Sequence, residues 1–169
     1  MNIEELVKDW ALTFGLPVNE KPTIPNKEEI LLAFKLIEEE FLEFRQAIQY
    51  QLIDGHTATG AYHITGDIVE MPEDITEIAD SLTDTLWTVI RAMQVFGLNP
   101  QKCMEAVYES NMSKLCYSYD EIEETVEAYK QKGIEVVVYP AEFKGFIVKN
   151  KNTDKVLKSI NFKEPKFDL

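Results

Sequence analysis

The sequence predicts a mainly α-helical bundle with a small β-hairpin appendage at its C-terminal end. Three observations predict it. Two long stretches, about 27–52 and 73–96, repeat apolar residues at intervals of three and four, the period of a single helix face. Glycines, prolines and capping residues separate these stretches from three shorter helical ones. After residue 133 the chain turns to the β-branched and aromatic runs IEVVVYP and FKGFIVKN, which read as two or three short strands.

The first helix is expected over 2–14, where Ile3, Leu6, Val7, Trp10 and Phe14 fall at helical spacing. The connector GLPVNEKPTIPN follows, and Asn26 at its end suits an N-cap. On the long helix 27–52, Ile30, Phe34, Ile37, Phe41, Phe44 and Ile48 make one continuous core face. Residues 54–72 carry three glycines and no helical period. They read as a loop, or as a short hairpin through AYHITGDIVE. The second long helix opens behind Pro72 and presents Ile75, Ile78, Leu82, Leu86, Val89, Met93 and Phe96 as its core face. Gly97 ends it, Pro100 opens a fourth helix to about Leu115, and a fifth spans about 118–133. The expected organisation is one domain, with the bundle over 1–133 and the β-appendage and tail over 134–169.

Apolar residues make up 45% of the 169 positions, enough to build a core. Thirty acidic residues against 17 basic ones leave a net charge of −13. That sign repels phosphate backbones and anionic lipid, which argues against nucleic-acid and membrane partners. A nucleotide is anionic too, so it would need a divalent cation between itself and this chain. No stretch has the length of a membrane span, and the acidic, amphipathic MNIEELVKDW does not read as a signal peptide. Cys103 and Cys116 read as reduced thiols of a cytoplasmic protein, since two isolated cysteines make no zinc site.

The chemistry-bearing feature is a pair of carboxylate clusters. On the first long helix Glu39, Glu40 and Glu43 are three and four apart, so they point into one region. Glu40 and Glu43 interrupt the apolar line Leu32, Leu36, Ala47, where a buried charge is costly without a cation. On the second, Glu77, Asp80, Asp84, Trp87 and Arg91 step along the side opposite the core face, and Arg91 is the only basic residue between Pro72 and Phe96. A solvated acidic face would mix signs. Clustered carboxylates on two helices, with no His or Cys beside them, suit a hard cation: Mg²⁺, Mn²⁺ or Ca²⁺.

The pattern Glu39-Glu40-Phe41-Leu42-Glu43 followed by Glu77-Ile78-Ala79-Asp80 resembles the all-α nucleoside triphosphate pyrophosphohydrolases, the MazG-like superfamily. That group includes phosphoribosyl-ATP pyrophosphohydrolase and the dimeric dUTPases. The downstream Asn111-Met112-Ser113-Lys114 is similar to the family's Asn-x-x-Lys, and KVLKSINFKEPKFDL resembles the tail of MazG-like proteins. The spacer between Glu43 and Glu77 is longer than the family's usual one. The resemblance implies Mg²⁺-dependent (Mn²⁺ also serving) cleavage of a nucleoside triphosphate between the α and β phosphates, and at least a homodimer. On this reading Glu40, Glu43, Glu77 and Asp80 are the metal ligands. Glu39 is the catalytic carboxylate that orients water, or a further ligand. Lys114 reads as a phosphate contact and Asn111 as a phosphate or sugar contact, or both as helix-terminal surface residues; Trp87 reads as a base-stacking group or as core or dimer interface, and Asp84 as a further ligand or a supporting carboxylate. Arg45 reads as the partner of Glu38 or Glu39 in preference to a phosphate contact, and the loop histidines His56 and His63 receive no role. The alternatives are phosphoribosyl-ATP hydrolysis, and a non-catalytic bundle that binds a protein or a metal.

Overall fold

The computed structural model describes residues 2–54 and 65–168. Among them are five α-helices: α1 (Ile3–Thr13), α2 (Lys27–Ala47), α3 (Ile75–Val95), α4 (Pro100–Met112) and α5 (Tyr119–Lys130). Two antiparallel strand pairs complete the fold: β1 (Tyr50–Asp54) with β2 (Thr65–Ile68), and β3 (Val136–Pro140) with β4 (Phe146–Asn150). The mainly α class and the small C-terminal hairpin are as the sequence predicts. The chain forms two compact units, one running to Pro100 and the other spanning Gln101–Asp168.

Local chemistry sets the helix ends. Asn2 and Asn26 each build a reciprocal capping box, with Glu5 and Glu29 respectively. The start of α3 moves two residues beyond the expected Glu73. The Asp74 carboxylate accepts from the backbone N–H groups of Thr76 and Glu77 and so becomes the N-cap. Those two donors hold its carboxyl below the usual carboxylate range. Gly97 closes α3 as expected: its φ is 65°, and a Cβ there would collide with the Lys21 backbone.

The end of α2 departs most from expectation. The helix stops at Ala47, five residues short of Leu52, because Gln49 takes φ 55° and Tyr50 enters β1. β1 pairs with β2 in the register Tyr50↔Ile68 and Gln51↔Asp67. The TGDI part of the expected hairpin is therefore a strand, but its partner is the segment read as the last turn of the helix. Residues 61–64 of that hairpin reading, with His56 and His63, lie outside the described residues. The Arg45 guanidinium lies over the Tyr50 ring, 5.5 Å from its centroid. The expected ion pair of Arg45 with Glu38 or Glu39 does not form, and its buried Nε has no partner among the described residues.

In the first unit, α2 packs on α3 and α1 packs on α3. The more buried side of α2 is the line Ala33, Ile37, Glu40, Phe44 and Ala47, while Ile30, Phe34 and Phe41 are exposed. On α3 the buried positions are Ser81, Thr88, Ile90, Arg91, Gln94 and Val95; Ile75, Leu82, Leu86 and Val89 face outward. The expected core faces are therefore only partly buried: Ile37, Phe44, Ile48, Ile78, Met93 and Phe96 are half-buried and the rest exposed. The fully buried positions of the two helices are mostly small or polar, with Ile90 and Val95 the large apolar exceptions. Polar groups fasten α1 and the connector to the C-terminal half of α3. Gln94 Nε2 donates to the Glu4 carbonyl, Arg91 Nη2 to the Pro17 carbonyl, and Asn19 Nδ2 to the Val95 carbonyl, at 3.1, 2.7 and 2.6 Å.

In the second unit, β3 and β4 pair from Val136↔Asn150 to Pro140↔Phe146. The other edge of β4 is taken by Cys116, through two backbone bonds to Phe146, and by the Leu157 N–H, which donates to the Val148 carbonyl. Val148, Cys116 and Thr125 are the fully buried centre of this unit. Burial pushes the Cys116 thiol pKa up, which keeps it protonated and inert.

Candidate active site

The α2–α3 pairing brings carboxylates of the two helices near one another. Glu40 is half-buried; Glu39, Glu43, Glu77, Asp80 and Asp84 are exposed. The Glu40 carboxyl is pushed above its ordinary value, first by burial and then by the negative charges of Glu43, Asp84, Glu39 and Asp80. Four carboxylates from two helices thus act on a fifth. Glu77, one turn earlier on α3 than Asp80, is not among the groups that act on Glu40. Asp84, expected to be a supporting group, acts on Glu40 more strongly than Asp80 does.

Among the described residues, no ion pair brings a cation to this cluster. Arg91, the one basic residue of α3, is turned to the Pro17 carbonyl and lies 3.5 Å from Gln94 Oε1. Among the described residues, none of the six carboxylates forms an ion pair. As placed, no three described carboxylates converge closely enough to hold one ion. The donor set is all oxygen, the kind a hard divalent cation takes, and five of its six members are exposed.

The apolar line expected around Glu40 and Glu43 is only partly realised. Leu32 and Leu36 are exposed, and of the two acids only Glu40 turns inward. Trp87 is half-buried and meets Trp10 of α1 edge to face, with ring centroids 5.6 Å apart. Trp10 also touches Phe14, at 5.2 Å. The sequence reading missed the Trp10–Trp87 pair; the signal for it was the placement of Trp10 on the apolar side of α1. In the second unit, Asn111 and Lys114 do come together, with Lys114 Nζ donating to Asn111 Oδ1 at 2.6 Å.

A family profile described as phosphoribosyl-ATP pyrophosphohydrolase matches residues 7–111. The match includes all six carboxylates, Trp87 and Asn111, and Lys114 lies just beyond it. This chain belongs to that family, within the all-α nucleoside triphosphate pyrophosphohydrolase superfamily whose motif it carries. An uncharacterized protein of Acanthamoeba polyphaga mimivirus is 31% identical over 106 residues, which is 60% of this chain and 42% of that protein. The chain thus spans less than half the length of that curated relative. Among the described residues, no helix is long and apolar enough to cross a membrane.

Proposed function

We propose that this chain is a divalent-metal-dependent nucleoside triphosphate pyrophosphohydrolase of the cytoplasm, acting as a homodimer or higher oligomer. It cleaves between the α and β phosphates to give a nucleoside monophosphate and pyrophosphate. The observation that carries the reading is the group of carboxylates whose charges act on Glu40, in a chain of a pyrophosphohydrolase family.

Glu40, Glu43, Glu77 and Asp80 would hold Mg²⁺, or Mn²⁺ in its place, with Asp84 as a supporting carboxylate. When bound, the cation would neutralise phosphate charge and acidify a water. The Glu39 carboxylate accepts a hydrogen bond from the attacking water and fixes its direction. Lys114 Nζ, already directed by Asn111, contacts a phosphate oxygen, and Trp87 stacks on the base. The family's characteristic activity favours a second reading, phosphoribosyl-ATP as substrate. Release of pyrophosphate from a panel of ribo- and deoxyribonucleoside triphosphates and phosphoribosyl-ATP, all with Mg²⁺, separates the two. No release from any of them would favour the non-catalytic bundle.

Three results are expected. Excess EDTA should abolish hydrolysis, and Mg²⁺ or Mn²⁺ should restore it; turnover that persists in chelator would refute the metal site. Mg²⁺ alone should also raise the thermal midpoint, because an ion bound only by the folded state stabilises it. Lys114→Ala should weaken substrate binding by about tenfold, the scale of one charge-assisted hydrogen bond, and leave the circular dichroism spectrum unchanged. Unaltered kinetics would make Lys114 an ordinary surface residue.

A further inference from the structure

The C-terminal tail closes on the motif that carries Asn111 and Lys114. Between Leu157 and Lys163 the backbone is neither helix nor strand, yet side-chain hydroxyls bind it at successive points. Lys158 N–H donates to the Tyr129 hydroxyl and Ile160 N–H to Thr125 Oγ1, at 3.1 and 3.0 Å. Lys163 is gripped on both sides: its N–H donates to Ser113 Oγ at 2.9 Å, and its carbonyl accepts from Ser110 Oγ, also at 2.9 Å.

Ser113 is the centre of this arrangement. It lies between Asn111 and Lys114 in sequence. Its hydroxyl donates to the Ser110 carbonyl at 2.7 Å while it accepts from Lys163, and its own carbonyl accepts from Ser159 Oγ at 2.9 Å. Ser110 and Ser159 are buried. The site of attachment is the frayed end of α4. Beyond Met112 the backbone bonds shorten to turn type, with Lys114 N–H on the Asn111 carbonyl and Leu115 N–H on that of Met112. The end of a helix leaves its last carbonyls without intrahelical donors. Here the tail supplies one through Ser159, and Ser113 Oγ supplies another to Ser110. Lys114 sits in that turn, so the direction of its side chain depends on how the turn is held.

We propose that residues 157–163 are a positioning strap, which fixes the turn carrying Asn111 and Lys114 and thereby sets their grip on phosphate without touching substrate. The proposal rests on the reading of Lys114 as a phosphate contact. Ser113 and Ser159 are then positioning residues, and the tail has a role in substrate affinity that its distance in sequence from the motif conceals.

The test is calorimetric titration of the full chain with magnesium tripolyphosphate, a base-free probe of the phosphate grip, with thermal midpoints measured alongside. Ser113→Ala and Ser159→Ala should each weaken binding by about tenfold, comparable to Lys114→Ala, and Ser113→Thr should restore most of the loss. Adding either serine substitution to the Asn111→Ala, Lys114→Ala double variant should weaken binding no further, because the strap acts only through those two side chains. Failure of Lys114→Ala to change binding would end the phosphate reading and the strap together. A loss in Lys114→Ala with unchanged affinity in folded Ser113→Ala and Ser159→Ala would end the strap alone. So would a serine loss that simply adds to that of the double variant.

Discussion

Replacing Glu43 or Asp80 with alanine should lower turnover by about a hundredfold or more, and replacing both should cost little beyond either one. Loss of an outer-sphere partner of a metal ligand already costs roughly 10–100-fold, so loss of a ligand should cost at least as much. The near-equality of single and double mutants follows because a cluster that needs all its oxygens is disabled by the first removal. Stability should move the opposite way. Glu40 is held above its ordinary value by burial and by the charges of Glu43, Asp84, Glu39 and Asp80, and no ion pair among the described residues offsets them. Deleting one of those charges should leave the metal-free protein as stable or more stable, the usual pattern where a functional site is assembled against the preference of the fold. Thermal midpoints without metal, beside turnover with Mg²⁺, give both halves of the result. If Glu43→Ala and Asp80→Ala unfold the metal-free protein while the folded remainder keeps appreciable activity, the carboxylates are structural and the metal reading is wrong.

The same comparison ranks the acids within the cluster. Asp84 acts on Glu40 ahead of Asp80, and Glu77 does not act on it. In the metal-free protein Asp84→Asn should therefore relieve more repulsion than Glu77→Gln, whatever their ranking in turnover. Motif spacing could not have given this order. It depends on how α2 and α3 are rotated against one another, which the motif itself does not encode.

The parts of the fold legible in the sequence were those fixed by local chemistry. Asn26, Ser118, Gly97 and Pro100 mark helix ends through caps, a left-handed φ and a missing N–H, and each stands where those properties are used. The carboxylate motif was legible because helical spacing alone brings Glu39, Glu40 and Glu43 into one region. The end of α2 was not legible: Ile48 keeps the apolar period, and pairing with the distant segment Thr65–Ile68 is what draws Tyr50–Asp54 into a strand. Nor was Arg45, whose sequence neighbours are acids but whose guanidinium goes to the Tyr50 ring. The serine contacts to the tail escaped for a similar reason. Ser110, Ser113 and Ser159 resemble ordinary polar positions until a segment about fifty residues away is seen to need donors and acceptors.

The largest discrepancy, the exposed apolar faces, leads to the second strong expectation. Periodicity correctly identified Ile75, Leu82, Leu86 and Val89 as one stripe of α3, yet they are 74, 47, 46 and 36% exposed. On α2, Phe34, Phe41 and Leu42 are exposed at 58, 45 and 45%. A face so regular in sequence and so open in a single chain fits a core completed by another copy, and exposed patches of this kind mark interaction surfaces. Completing the burial of each such side chain is worth on the order of 1 kcal/mol, and a stable interface needs about 800 Å² per partner, which two 21-residue helices can supply. Sedimentation equilibrium should therefore return a mass at least twice 19.5 kDa. Leu82→Glu with Leu86→Glu should break the assembly, because each copy would bring two charges into the apolar contact. The product should be a monomer of much reduced thermal midpoint, or an aggregate if the helices cannot stand alone. The pair lies on the side of α3 opposite Asp80 and Asp84, so a direct effect on the carboxylates is not expected. A wild-type chain that sediments as a monomer at assay concentration, or a double variant that keeps both mass and midpoint, would show that the stripe is solvent-facing and that no second copy covers it.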